Sequence, residues 1–153
     1  MVAHPLAYDS LGKGSDTETD IPPIMTDTSW PAGRRGLYKR GHLLNQLLGG
    51  PGKETRNITP LTSSANGLHN TRVESDIKKL MNASRGEMMH YEVHVNYPAS
   101  PRQPTGKADS VEGQFSISLS TRWWELEADG KGYEKKAGGK AGGETIPNVS
   151  PYP

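Results

Sequence analysis

The sequence predicts an α+β fold in which one helix and a small antiparallel sheet form the core. Residues 63–81 have the apolar spacing of an amphipathic helix, and residues 88–97 and 114–127 alternate like half-buried strands. The chain has 153 residues, which suits a single domain. Its 18 glycines and 12 prolines predict long irregular stretches between these elements, and the absence of cysteine excludes disulfides and thiolate metal sites.

Residues 1–33 contain several turn-forming sequences and no sustained apolar period, so we expect an extended N-terminal arm. A core of residues 34–128 follows, and its first part runs into a Gly-rich turn at residues 49–52. The segment 57–61 has the composition of a short strand that stops at Pro60, because proline cannot donate a ladder hydrogen bond.

The helix is expected to begin near Ser63 or Ser64 and to end at Met81. Its inward stripe on a helical wheel is apolar towards the C-terminal end and polar over the first turns. The stripe consists of Asn66, His69, Asn70, Val73, Ile77, Leu80 and Met81. Because inward polar groups are costly to desolvate, this pattern favours a metal or phosphate near the start of the helix. The alternative is a first turn that protrudes beyond the core.

The two alternating segments predict an antiparallel hairpin with a long tip. One face of the first strand carries Met89, Tyr91 and Val93, and one face of the second carries apolar residues from Phe115 to Trp123. Residues 129–153 begin with a stretch rich in Gly and Lys, so we expect a mobile, irregular C-terminal tail.

The net charge of +1 conceals a basic segment at residues 34–56, which has six basic side chains and one acidic side chain. Such a segment is where an anionic partner would bind, although a solvated basic loop is the alternative. The sequence has no apolar run long enough to cross a membrane, and its start lacks the pattern of a signal peptide. If the domain is exported, we therefore expect another segment or machine to carry it.

Four short motifs occur in a fixed order: Arg40-Gly41-His42, then Asn57-Ile58-Thr59-Pro60, then Asn66, then Glu74 eight residues later. In residue identity, order and spacing they resemble the DNA/RNA non-specific endonuclease family, whose core is the ββα-metal, or His-Me, finger. The resemblance covers residues 38–82. Lys39 stands where the family usually has Asp, which replaces an acidic group with a phosphate-attracting charge.

The resemblance implies a ββα-metal finger packed on the antiparallel sheet and assigns roles to the motif residues. His42 would be the general base, Arg40 the phosphate clamp, Asn66 the ligand of Mg²⁺, and Glu74 the group that holds waters of the cation. Mn²⁺ would be able to substitute for Mg²⁺. Simpler alternatives are that His42 has only a structural role, that Asn66 only starts the helix, and that Glu74 is an ordinary surface carboxylate.

Further residues are candidates for binding or support. Nucleic acid would contact the basic residues Arg34, Arg35, Lys39 and Arg56, and the supporting residues would be Asn57, His69 and Asn70. Asn57 could equally hold the backbone in place. His69 could coordinate the metal directly or support the residues and waters that do.

The function implied is a metal-dependent, non-specific endonuclease that cleaves DNA, with RNA as a further substrate. The short chain is similar to the toxin domains of bacterial polymorphic toxins and injected effectors. Such a toxin would be secreted or injected, would act in the cytoplasm of a target cell, and would have a cognate immunity protein; no membrane partner is expected. The alternatives are a nucleic-acid-binding module without catalysis and a protein-interaction domain.

Overall fold

The computed structural model of the chain describes residues 1–18, 35–83, 85–98 and 116–149. In these ranges the strands are β1 (Val2–Ala7), β2 (Tyr38–His42), β3 (Ile58–Thr62), β4 (Met88–Asn96), β5 (Ser118–Ala128), β6 (Tyr133–Lys135) and β7 (Ala141–Pro147). The helical elements are α1 (Ser63–His69), a π-helical turn (Asn70–Glu74) and α2 (Ser75–Ala83), with short 3-10 turns elsewhere. The described part of the chain is therefore α+β with antiparallel sheets, as the sequence predicts.

The larger sheet is built around β5. One edge of β5 pairs with β4, and β4 pairs in turn with β1; the other edge of β5 pairs with β7 and then with β6. All these pairs are antiparallel. The predicted pairing of the two alternating strands is confirmed, with Tyr91 opposite Trp123 at its centre. Phe115 and the predicted tip of the hairpin beyond Pro98 lie outside the described residues.

The smaller sheet consists of β2 and β3, and α1 follows β3 without a loop. The prediction that Pro60 stops the strand is wrong, since β3 continues to Thr62 and Pro60 lies opposite Arg40. Proline is tolerated there because β3 pairs with only one strand of the described sheets. On its far side, Asn148 donates to the Pro60 carbonyl at 3.1 Å and accepts from the Thr62 amide at 2.8 Å.

The helix begins where Thr62 caps it, because the Thr62 side chain accepts from the Ala65 amide at 3.1 Å. Helical backbone then continues to Ala83, two residues beyond the predicted end. The π-helical turn in the middle accommodates an additional residue, so side chains five positions apart lie one above the other. A helical wheel drawn with a constant rotation of about 100° per residue therefore misplaces the side chains that follow this turn.

The hydrophobic core lies between the larger sheet, the helix and the loop after β2. Each contributes buried side chains: Met89, Tyr91, Leu119 and Ile146 from the sheet, Ala65, Val73, Ile77 and Met81 from the helix, and Leu43, Leu44 and Leu48 from the loop. One face of the larger sheet is therefore covered. The helix is held between this face and β2–β3, which fixes its first turns beside the end of β2.

The prediction of an irregular C-terminal tail is wrong for residues 133–135 and 141–147, because they form β6 and β7. Alternation is missing from β7 because glycine occupies positions where a side chain would collide with the sheet. A Cβ at Gly142 would lie 2.7 Å from the Trp123 indole. The segment predicted as an N-terminal arm supplies β1, and its residues 19–33 lie outside the described residues. No helix in the described ranges is long and apolar enough to cross a membrane.

Candidate active site

A cleft of about 340 Å³ opens between the end of β2, the loop that follows it, and the helical segment from α1 to the start of α2. Its polar lining consists of Arg40, His42, Asn45, Gln46, Asn66, His69, Asn70, Glu74 and Lys78. Six of these residues are predicted site residues: Arg40, His42, Asn66, His69, Asn70 and Glu74. The fold therefore brings together residues that lie up to 34 positions apart in the sequence.

His42 is the last residue of β2, and its ring is oriented by the N-terminal segment. The Nε2 atom of His42 lies 3.0 Å from the backbone carbonyl oxygen of Ser15. Because a carbonyl can only accept, Nε2 must carry the proton that it donates. In a neutral imidazole the other nitrogen, Nδ1, is then a bare acceptor. This tautomer presents the acceptor nitrogen that a general base requires.

The segment that supplies this carbonyl is attached to the loop after β2. The backbone amide of Gly14 donates to Gln46, and the amide of Ser15 donates to Gly50. The Ser15 hydroxyl accepts from the Gly52 amide at 2.8 Å. Residues 12–16, hereafter the strap, thus run along the loop after β2.

Asn66 lies in the first turn of helix α1, after the Thr62 cap, and its side chain is next to Gly41, the residue before His42. A Cβ placed on Gly41 would come within 3.1 Å of Asn66 Oδ1 and would also collide with the Leu61 side chain. Glycine at position 41 therefore leaves room for helix α1 to approach β2. This close approach places the Asn66 carboxamide next to the strand that carries the histidine.

Glu74 is buried, with 2% of its side chain exposed, although carboxylates rarely occupy such positions without partners. Its Oε2 atom accepts from Asn45 Nδ2 at 2.9 Å and lies 4.0 Å from Lys78 Nζ. Its Oε1 atom is buried and has no hydrogen-bond partner. Burial raises the pKa of Glu74 from 4.5 to about 7, against the opposing effects of Lys78 and Asn45.

His69 lies behind Glu74 and is equally buried. Its Nε2 atom is 2.7 Å from the Tyr91 hydroxyl, and its Nδ1 atom is 3.8 Å from Glu74 Oε1. Burial, with a smaller contribution from Lys78, lowers the pKa of His69 from 6.5 to about 4, so the ring is neutral at physiological pH. Burial also raises the pKa of Tyr91, with Glu74 adding to the effect, so its hydroxyl remains protonated.

The remaining predicted residues are not all at the cleft. Lys39 and Arg56 are exposed and do not line it, and Arg56 lies 3.7 Å from Glu54. Arg34 lies outside the described residues, as does the side chain of Arg35.

Asn57 fixes the backbone instead of lining the cleft. It is fully buried, accepts from the Leu44 amide at 2.8 Å, and donates to the Leu44 carbonyl at 3.0 Å and the Pro51 carbonyl at 3.1 Å. It thereby closes the loop after β2. Asn70 is exposed at the rim of the cleft, where it accepts from Lys78 Nζ at 3.2 Å.

Sequence reasoning missed four contributors to the site: Ser15, Asn45, Lys78 and Tyr91. Ser15 acts through its backbone carbonyl, which leaves no trace in the side-chain pattern. Asn45 is one of several polar residues in a loop. Tyr91 is visible in the sequence only as one inward-facing position of an alternating strand, and nothing there indicates the partner of its hydroxyl.

The donor set fits a hard divalent cation that keeps most of its waters. Asn66 offers a neutral carboxamide oxygen, and Glu74 Oε1 is a buried carboxylate oxygen that lacks a partner. Within the described residues, no group of three or more His, Cys, Asp and Glu side chains is placed to hold a metal. Such a group would favour direct protein ligation, whereas the residues of this cleft suit a largely hydrated ion.

The sequence model of the DNA/RNA non-specific endonuclease family matches residues 8–111 of the chain, which is more than half of its length. No curated protein sequence matches the chain. The matched range contains the cleft residues and the strap. The resemblance based on the four motifs is thereby confirmed.

Proposed function

Because the chain belongs to the DNA/RNA non-specific endonuclease family, we propose that it hydrolyses phosphodiester bonds of DNA, and of RNA as well, in a metal-dependent reaction at this cleft. The observation that carries the proposal is the convergence of His42, Arg40, Asn66 and Glu74 on one cleft. A family domain that had lost its chemistry would have no reason to keep a base, a guanidinium and an unpartnered buried carboxylate oxygen together.

In the proposed mechanism His42 is the general base. The strap carbonyl holds its Nε2 proton, so Nδ1 is free to take a proton from the attacking water. Asn66 and Glu74 would hold a divalent cation, Mg²⁺ or Mn²⁺, which supplies neutralisation of negative charge on the phosphate. Because the Asn66 carboxamide is uncharged, it serves as a ligand without repelling the substrate.

Arg40 would bind the scissile phosphate. It precedes His42 by two residues in β2, so both side chains leave the strand on the same face. A guanidinium can donate two parallel hydrogen bonds to a phosphate and neutralise part of its charge. Arg40 is therefore expected to act in substrate binding and in the transition state.

A digestion series tests this function. Supercoiled plasmid and total RNA are incubated with the chain in Mg²⁺, in Mn²⁺ and in EDTA. We expect cleavage with either cation and none in EDTA, and no cleavage by an Asn66→Ala variant. His94→Ala is the matched control, because His94 is exposed on the larger sheet and does not line the cleft. Binding of nucleic acid without cleavage under any condition would identify a binding module instead.

We also propose that the nuclease acts as a toxin or effector that is secreted or injected and works in the cytoplasm of a target cell. The resemblance to toxin domains and the basic segment 34–56 support this role. A cognate immunity protein would neutralise it in the producing cell. Expression of the chain inside bacteria should arrest growth, and His42→Ala should relieve the arrest; equal growth of both strains would contradict the proposal.

A further inference from the structure

When Glu74 is ionised, His69 and Glu74 place two hydrogen-bond acceptors 3.8 Å apart in the wall of the cleft. Tyr91 has one hydroxyl proton, and it donates this proton to the Leu43 carbonyl at 3.0 Å. The contact between Tyr91 and His69 Nε2, at 2.7 Å, must therefore use the proton of the histidine. Burial disfavours a charged imidazolium, so His69 Nδ1 carries a lone pair.

A second acceptor lies near that lone pair. His69 Nδ1 lies 3.8 Å from Glu74 Oε1, and Oε1 has no hydrogen-bond partner. The π-helical turn produces this juxtaposition, because residues 69 and 74 are five positions apart. A buried acceptor without a donor is costly, so the pair calls for a donor between them.

Resting on the proposed function, we propose that His69 and Glu74 form a two-acceptor seat for one water of the cation's hydration shell. A water bound to a cation directs its oxygen at the ion and donates both protons. At about 2.8 Å from each of two acceptors 3.8 Å apart, it would donate along directions about 85° apart, narrower than its own bond angle but within the range of bent hydrogen bonds. His69 is then a positioning residue, and Tyr91 fixes its tautomer.

The seat gives the buried His69 a purpose that packing alone does not explain. A leucine would fill the same space without requiring Tyr91 to satisfy a ring nitrogen. The seat also gives the two carboxylate oxygens of Glu74 different hydrogen-bond partners. Asn45 holds Oε2, which leaves Oε1 to face the water.

Cation affinity in the full chain tests the seat, with Mn²⁺ as the probe and binding followed by calorimetry and electron paramagnetic resonance. Outer-shell partners are typically worth 10- to 100-fold in metal affinity. We expect His69→Gln to weaken Mn²⁺ binding about tenfold, and Tyr91→Phe to weaken it by a smaller factor. The matched controls are His94→Gln and Tyr97→Phe, whose side chains are exposed, and both should bind as the parent does.

A second measurement needs no variant. Nitrogen-15 NMR of the parent, loaded with Mg²⁺, should show His69 neutral with its proton on Nε2. Protonation of Nδ1 in that state would overturn the seat, as would parental Mn²⁺ affinity in folded His69→Gln. If Asn66→Ala abolishes Mn²⁺ binding while His69→Gln does not change it, the seat alone fails. If Asn66→Ala also leaves binding unchanged, the proposed cation site itself fails.

Discussion

At the scale of single residues, replacing His42 and replacing Arg40 should have different effects on the cleavage rate and on substrate affinity. His42→Ala removes a base that touches only the attacking water, so cleavage should fall by about 10²- to 10⁴-fold while substrate affinity changes little. Arg40→Ala should weaken binding and turnover together, because the guanidinium acts on ground state and transition state alike. Plasmid cleavage rates and DNA affinity, measured on both variants, separate the two effects.

The control for this comparison is thermal stability, since neither variant should unfold the protein. His42 is only partly buried, and His94→Ala offers a matched histidine replacement away from the cleft. A purified His42→Ala protein that melts like the parent and still cuts plasmid within threefold of it would refute the proposed base.

Glu74 and His69 should make opposite contributions to the pH dependence of stability in the metal-free protein. The pKa of Glu74 is raised to about 7, so the folded state holds a proton that the unfolded chain releases above pH 4.5, and lowering the pH through this window adds stability. The pKa of His69 is lowered to about 4, so stability is lost as pH falls below 6.5. Between pH 6.5 and 4.5 the two effects offset each other.

Glu74→Gln should expose the contribution of His69. From pH 7 to pH 5 the variant should lose about 2 kcal/mol of unfolding free energy, from 1.36 kcal/mol per pH unit between 6.5 and 5, while the parent changes little. Urea denaturation in EDTA at both pH values measures this. Glu134→Gln, at an exposed position, is the control. Equal pH dependence in the Glu74 variant and the parent would show that the two groups are not opposed.

At the scale of secondary structure elements, the strap is expected to affect catalysis through His42. A Cβ at residue 14 would collide with the backbone oxygens of Gln46 and Gly50, which cannot yield as a flexible side chain would. Gly14→Val should therefore displace the Ser15 carbonyl, lower the cleavage rate and change the tautomer of His42 seen by nitrogen-15 NMR. Mn²⁺ affinity should remain near that of the parent, because the described residues of the strap make no hydrogen bond to Asn66 or Glu74.

Gly36→Val is the matched control for the strap variant, since a Cβ at residue 36 meets nothing within 4 Å. It should retain the parent's cleavage rate and the parent's His42 spectrum. If Gly14→Val keeps both as well, the strap does not orient the histidine.

The elements that sequence patterns predicted are those whose residues alternate or repeat around one buried face. Strands β4 and β5 were predictable because each places one set of side chains in the core. Strands β6 and β7 were not, because residues 133–147 bury a single side chain in these strands, that of Ile146, and glycine makes room for Trp123. The π-helical turn was equally invisible, because it depends on how the helix meets its neighbours.

The same distinction holds for the cleft. The motif residues His42, Asn66 and Glu74 were predictable because the family resemblance fixes their identity and spacing. The Ser15 carbonyl, which orients His42, and the Tyr91 hydroxyl, which contacts His69, come from distant segments and have no sequence signature. Three-dimensional packing alone brings these groups to the site.

At the scale of the whole molecule, the described cations of the basic segment are not equally available to a substrate. Lys53 lies 3.2 Å from Glu18 and Arg56 lies 3.7 Å from Glu54, and both pairs are largely exposed. Arg40 lines the cleft, together with Lys78 from the helix. The positive charge available to a nucleic acid therefore depends on where the fold places each basic side chain.

DNA binding should therefore depend strongly on salt, with each phosphate contact contributing about −0.9 to the slope of log affinity against log salt. Arg40→Gln should reduce the magnitude of this slope by about one contact, because its guanidinium is expected to sit on a phosphate. Arg56→Gln is the discriminating comparison: an equal reduction would extend the binding surface along the basic segment, and an unchanged slope would confine it to the cleft. The slopes come from fluorescence anisotropy of a labelled duplex, with the inactive His42→Ala protein to prevent cleavage. A nearly flat dependence between low and moderate salt would refute electrostatic binding at this face.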